Sequence, residues 1–173
     1  TFYNAIANDG KMVRPRFLKE VRSFDSVIET FDTQIINSSI CSKETISKVK
    51  QMMVNVVEKK HGTAHNIYDK NFSMAGKTGT CQTEYWKNSN LYISSFSGYF
   101  PADDPKYSCI VVIHKPNKKK GYYGNIVAAP VFKKIAQKIY SETPIVHDQN
   151  FSNETNILNE KGNHIAPYYM SLN

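Results

Sequence analysis

The stretch Ser73-Met74-Ala75-Gly76-Lys77-Thr78-Gly79-Thr80-Cys81-Gln82-Thr83 decides how the rest of this 173-residue chain is read. Its Gly-Lys-Thr matches the end of a phosphate loop, in which a glycine-rich turn opens a helix and backbone N–H groups converge on phosphate. Two features speak against that reading and against the basic nucleotide-binding domain it implies. The phosphate-loop pattern needs a glycine five residues before Gly76, and that position holds Asn71. Gly79 then follows Lys77 by two residues, and Thr80-Cys81-Gln82-Thr83 continues as strand-compatible sequence where a helix should begin. The stretch is read as a β-strand that displays an ammonium and several hydroxyls. With 19 Lys, 10 Thr and 8 Gly in the chain, Lys-Thr-Gly arises by chance roughly 0.05 times, so it carries information.

Moving outward toward the C-terminus, Leu91–Phe100 and Tyr107–His114 are two further strands. Pro101-Ala102-Asp103-Asp104-Pro105-Lys106 joins them, and its turn residues and short span predict an antiparallel hairpin. Cys109-Ile110-Val111-Val112-Ile113 is apolar at both alternating positions, which predicts helices over both faces of the sheet. A last helix starts at Pro130, well suited to a first helical position, with Phe132, Ile135, Ala136 and Ile139 buried and Lys133, Lys134, Gln137 and Lys138 in water. Residues 144–173, rich in Asn, Asp, Glu and Ser, read as a linker or disordered tail.

Toward the N-terminus, Ser42 caps a helix whose apolar stripe is Ile46, Val49, Met53, Val56 and Val57, with Glu44 in its first turn. Lys59, Lys60 and His61 fall at its carbonyl end, and Gly62 is expected to terminate it. Thr1–Asn8 read as the last turns of a helix stopped by Asp9-Gly10. Val13–Ile36 hold two or three modest strands, read as a peripheral hairpin. The fold class is therefore α+β, an antiparallel sheet with helices on both faces.

Composition excludes several classes. Apolar residues make up 40% and aromatic residues 12% of the chain, which is the balance of a globular domain. No apolar run approaches the roughly 20 residues of a membrane-spanning helix. Thr1 is not an initiator Met and no signal peptide can be read, so a segment of a longer protein is expected. The net charge of +7 has its densest run at Lys118-Lys119-Lys120, read as a solvated turn, and no nucleic-acid-binding motif accompanies it. Cys41, Cys81 and Cys109 are odd in number and lack metal or disulfide spacing. His61, His65 and His114 do not form a ligand set, so no metal and no cofactor are expected.

The order and spacing of several short runs carry a resemblance. Tyr3-Asn4-Ala5-Ile6-Ala7-Asn8-Asp9-Gly10 with Arg14-Pro15, Gly62-Thr63-Ala64, Ala75-Gly76-Lys77-Thr78-Gly79-Thr80, Phe96-Ser97-Gly98-Tyr99-Phe100-Pro101 and Val127-Ala128-Ala129-Pro130-Val131-Phe132 follow one pattern. Over about residues 1–143 the chain resembles the C-terminal part of the transpeptidase domain of class B penicillin-binding proteins, of division or elongation type. That resemblance implies a partial domain of the serine β-lactamase-like fold. It implies peptidoglycan stem peptides ending in D-Ala-D-Ala as substrates, β-lactams as their mimics, and cell-wall synthesis proteins as partners. It also implies an extracytoplasmic location on the periplasmic face of the cytoplasmic membrane, anchored by a segment outside these residues.

The resemblance assigns substrate binding to Lys77, Thr78, Gly79 and Thr80. The ammonium of Lys77 and the hydroxyls of Thr78 and Thr80 suit a carboxylate. Gly79 leaves the strand edge open to an added peptide strand. The backbone N–H of Thr80 is the implied oxyanion-hole donor, a kind of group worth about 3 kcal/mol in acyl transfer. No catalytic residue is expected in the chain itself. The family's nucleophile lies in an S-x-x-K motif, followed by S-x-N and then Lys-Thr-Gly. The one S-x-x-K here, Ser47-Lys48-Val49-Lys50, sits mid-helix on the polar side, and chance predicts about 1.6 such matches. The one S-x-N, Ser171-Leu172-Asn173, comes after Lys77, in the wrong order. Both motifs are expected upstream, leaving these residues inactive alone.

Two alternatives share these features, a D,D-carboxypeptidase and a non-catalytic module that binds cell-wall peptides or partner proteins. Tyr85, Trp86 and Tyr92 could line the cleft or simply pack. Asn37-Ser38-Ser39 and Asn153-Glu154-Thr155 match glycosylation sequons, which mean little outside a eukaryotic secretory route.

Overall fold

The chain enters through a short helix, α1 (Phe2–Ala7), which buries Ala5 and Ile6. Gly10, at φ +90°, turns it into the next segment. This is a computed structural model, and it describes residues 1–87 and 91–142. Val13–Ile36 hold more strands than the pattern predicts, because two of them are only two and three residues long. β1 (Met12–Val13) pairs antiparallel with β4 (Ile35–Asn37), and β2 (Glu20–Ser23) with β3 (Ser26–Thr30). The expected peripheral hairpin is β2–β3, whose second strand is exposed throughout.

Ser42 caps α2 (Lys43–Glu58), its hydroxyl accepting the N–H of Thr45 at 3.2 Å. Such a cap stabilises a helix by about 1 kcal/mol. Ile46, Met53 and Val57 are the buried part of its stripe. Gly62 is expected to terminate this helix, but the helix ends before it. Lys59 already leaves the helix in an extended conformation. Gly62 instead lies against the last turn, where a Cβ would stand 2.4 Å from the Val56 carbonyl oxygen and 2.5 Å from that of Asn55. This close approach lets Ala64 N–H donate to Val56 O at 3.0 Å.

The central sheet is β5 (Ala75–Thr83), β6 (Leu91–Phe100) and β7 (Tyr107–His114), antiparallel in that order. Its register sets Lys77 opposite Ser97, Thr78 opposite Phe96 and Thr80 opposite Ser94 on one side of β6, and Phe96 opposite Val111 on the other. Side chains alternate across a strand, so Phe96, Phe100 and Val111 share one face and Ala75 and Tyr99 the other. A short helix, α3 (Gly124–Val127), and α4 (Ala129–Glu142) follow. The first face packs on α4 in the main core, where Phe132 meets Phe96 and Phe100 edge-on at 4.8 and 5.6 Å. The second meets Ile6 of α1 and Met53 of α2 in a smaller cluster. Helices thus pack on both faces. The second cover stops short of β7, where Ile110 and Val112 are 62% and 42% exposed.

Two expectations for the last helix need correction. Ile135 is 37% exposed instead of buried, because Phe132 and Ala136 already fill the contact with β6. Lys133 is not simply solvated. Its ammonium lies 3.1 Å from the Asp69 carboxylate and donates to Tyr68 O at 3.1 Å, tying α4 to the loop before β5. The tail at 144–173 lies outside the described residues.

Candidate active-site strand

β5 is an edge strand among the described residues, paired only with β6. Alternate backbone groups of such a strand point away from the partner and can receive another extended peptide. Lys77 sits mid-strand, not at the start of a helix, so the geometry of a phosphate loop is absent. Its side chain is exposed, and its ammonium donates to the carbonyl of Thr78 at 2.8 Å.

The register separates the side chains that the sequence groups together. Lys77 and Gly79 face the same way as Ser95 and Ser97. Thr78 and Thr80 face the side that carries Phe96 and α3. The ammonium and the two hydroxyls can therefore converge only at the strand edge. A Cβ on Gly79 would stand 2.6 Å from Ser95 Oγ, so the strand is bare there because its neighbour leaves little room.

Each hydroxyl also has a partner to which the sequence assigned no role in the site. Thr63 Oγ1 lies 3.3 Å from Thr78 Oγ1, and the Gly62 turn against α2 is what brings it there. Gly124 N–H donates to Thr80 Oγ1 at 3.1 Å. The absence of a side chain at Gly124 permits this, since a Cβ there would stand 2.3 Å from Ser95 O and 2.7 Å from Gly79 O. α3 is thereby seated directly on Gly79 and Thr80.

Beyond Thr80 the strand runs into an aromatic group. Gln82 is opposite Tyr92, whose ring lies 4.2 Å from that of Tyr122, and Tyr123 stacks on Tyr122 at 4.4 Å. Ser94 Oγ donates to the Tyr122 carbonyl, fixing the loop after β7 onto β6. Tyr92 is thus part of a packed cluster. Tyr85 and Trp86, in a short 3-10 turn, meet each other edge-on at 5.2 Å and stay 70% and 69% exposed.

The remaining candidates are placed elsewhere. Ser47 is exposed mid-helix, and Lys50 is engaged with Asp9 at 2.6 Å, so this pair is not arranged as nucleophile and base. Both line a groove of about 720 Å³ that also contains Ser73 and Ala102, which flank the far ends of β5 and β6 from Thr80. His65 Nδ1 bonds Val57 O at 3.1 Å and its ring stacks on Tyr68. No group of three or more metal-binding side chains occurs among the described residues. Ser171, Leu172 and Asn173 lie outside them.

Comparison with known proteins decides the family. Residues 1–137 match the penicillin binding protein transpeptidase domain. The chain belongs to the penicillin-binding protein transpeptidase family. Among relatives, the peptidoglycan D,D-transpeptidase FtsI of Buchnera aphidicola subsp. Baizongia pistaciae is 35% identical over 120 residues, 66% of this chain and 20% of that protein. Penicillin-binding protein PbpB of Mycobacterium tuberculosis is 31% identical over 145 residues, 78% of this chain and 21% of that protein. Penicillin binding protein 3 of the same organism, solved in apo form, superposes with a TM-score of 0.66 at 31% identity, covering 81% of this chain and 33% of that one. It has also been solved in complex with aztreonam and with ampicillin. The chain spans about a fifth of the length of these curated relatives, so it is a portion of a penicillin-binding transpeptidase domain.

Proposed function

We propose that residues 1–143 form the C-terminal portion of a peptidoglycan D,D-transpeptidase domain and that β5 is its substrate-facing strand. The observation that carries this is the exposed edge strand Lys77–Thr80, held from behind by Thr63 and by Gly124. In this reading Lys77 and Thr78 receive the terminal carboxylate of a stem peptide ending in D-Ala-D-Ala, and Gly79 leaves the edge clear for it. The N–H of Thr80 meets the oxyanion. A serine supplied by sequence outside these 173 residues attacks the penultimate D-Ala carbonyl. The amide bond breaks, the terminal D-Ala leaves with the proton, and the acyl group passes from serine to an amine of a second stem peptide. A β-lactam presents the same carboxylate beside a reactive carbonyl and would be held by the same residues. The work is done outside the cytoplasmic membrane, in company with other cell-wall synthesis proteins.

The test is Lys77→Ala in the full-length protein, followed by labelled-penicillin kinetics. Loss of an ammonium that orients the carboxylate should slow acylation by about tenfold or more. An unchanged acylation rate would remove Lys77 from the site.

A further inference from the structure

Behind the strand that carries Lys77, three hydrogen bonds close a circuit. Thr78 Oγ1 lies 3.3 Å from Thr63 Oγ1, and Thr80 Oγ1 accepts the Gly124 N–H at 3.1 Å. The third bond does not touch the strand. Asn66 Nδ2 donates to Asn125 O at 2.7 Å, joining segments 59 positions apart. Asn66 sits in a short 3-10 turn (His65–Ile67) just after Thr63, and Asn125 follows Gly124 in α3. The circuit runs from Thr63 to Thr78, along β5 to Thr80, across to α3 and back through Asn66. Asn66 is itself exposed, so its amide adds little buried contact. What it fixes is the placement, relative to each other, of the two segments that hold the two hydroxyls.

That placement matters because the hydroxyls are spaced to act together. Thr78 and Thr80 face the same side of β5, about 6.6 Å apart along the strand, near enough for one carboxylate at the edge to accept from both. Lys77 joins them, its ammonium lying 3.4 Å from Thr78 Oγ1. The Thr63–Thr78 contact is long for a pair of hydroxyls, so a small shift of either segment would break it. Ala64 N–H ties the Thr63 turn to α2, Gly124 is seated on Gly79, and Asn66 ties the two to each other. Resting on the transpeptidase reading above, we infer that Asn66 is a positioning residue for the substrate's terminal carboxylate. It couples the Thr63 turn to α3, so that Thr78 and Thr80 present their hydroxyls as a matched pair. Bonds in such a network support one another, and breaking one lets the others relax. Loss of the Asn66 amide therefore weakens carboxylate binding without removing any group that touches the carboxylate.

The experiment uses the full-length protein and two thioester donors, one whose leaving thiol carries a carboxylate and one with a carboxamide in its place. Wild type should show a lower KM for the carboxylate donor. Asn66→Leu and Asn66→Ala remove the amide at an exposed position, where folding tolerates the change. Each should shrink the preference about three- to fivefold, through KM and not kcat, the scale of one partly exposed hydrogen bond. Thr63→Val should shrink it by a comparable factor. Thr63→Val with Asn66→Leu should lose no more than the larger single loss, since either change opens the same circuit. A preference unchanged in both Asn66 variants, or losses that multiply in the double variant, overturns the assignment. So does a rate that falls equally for both donors, which would mark Asn66 as structural. Failure of wild type to be acylated by either donor or by penicillin removes the transpeptidase reading and this one with it. An active wild type that does not prefer the carboxylate leaves acyl transfer standing and removes this one.

Discussion

Gly124 N–H and Thr80 Oγ1 are joined by a hydrogen bond of 3.1 Å, so the first residue of α3 holds the strand that carries Lys77. The bond uses the acceptor side of the Thr80 hydroxyl and leaves its proton to be directed toward the strand edge. Gly124→Ala places a methyl group where Ser95 O and Gly79 O now lie. The loop must shift, and β5 loses its backing. In the full-length protein, acylation by a labelled penicillin should fall by about tenfold or more, since displacements of this kind are costly in acyl transfer. An acylation rate equal to wild type would show that α3 does not position Thr80.

Thr63 acts on Thr78 in the same manner from the other side. Thr63→Val keeps the shape and removes the hydroxyl 3.3 Å from Thr78 Oγ1, freeing Thr78 to rotate. The expected result is a rise in KM for a peptide donor of about three- to tenfold, an energy of about 1 kcal/mol. Thr63→Ser should restore most of it. If valine and serine behave alike, the contact is packing and not orientation.

The two long strands were legible because their signals are local. Leu91–Phe100 and Tyr107–His114 have the bounds that turn residues and apolar alternation predict. Lys77, Thr78, Gly79 and Thr80 were legible as a group because their spacing is contiguous. What the sequence does not contain is the bend of the Lys77 side chain around the strand edge, which brings its ammonium to the Thr78 carbonyl and to 3.4 Å from the Thr78 hydroxyl although the two residues face opposite ways. α3 escaped notice because four residues beginning at a glycine are too few for a helical period. Thr63, Gly124 and the Tyr92–Tyr122 pair depend on contacts across 15 to 44 positions. Ile135 reads as buried by period, yet tertiary packing leaves it at the rim of α4.

The Asp69–Lys133 pair gives the fold a pH dependence. The Asn71 N–H first, and then Lys133, hold the Asp69 carboxyl below its ordinary 3.8. A depressed carboxyl stabilises the folded state above the unfolded-state value, and that contribution disappears as pH falls through the folded one. At pH 7, Asp69→Asn should lower stability by about 1 kcal/mol, given that both side chains are partly exposed. The difference between variant and wild type should close below pH 3.8, as followed by thermal unfolding of the intact protein. A gap that does not narrow at all as pH is lowered below 3.8 would assign the loss to packing.

Tyr99 makes the opposite kind of prediction. Its ring is fully buried against Ile6, Met53 and Ala75, and its hydroxyl meets no polar partner among the described residues. Burying a hydroxyl without a partner costs about 1–3 kcal/mol, and its removal without change of shape recovers part of that. Tyr99→Phe should therefore be neutral or raise stability by about 1 kcal/mol, whereas Phe132→Ala in the main core should cost about 3–5 kcal/mol. Burial also pushes the Tyr99 phenol up to about 12, from an ordinary 10.0. The unfolded chain then gives up this proton at lower pH than the folded one, so wild-type stability declines between pH 10 and 12. Tyr99→Phe removes that slope. A variant clearly less stable than wild type at pH 7, with the alkaline decline intact, would mean that the hydroxyl has a stabilising partner and that another group titrates.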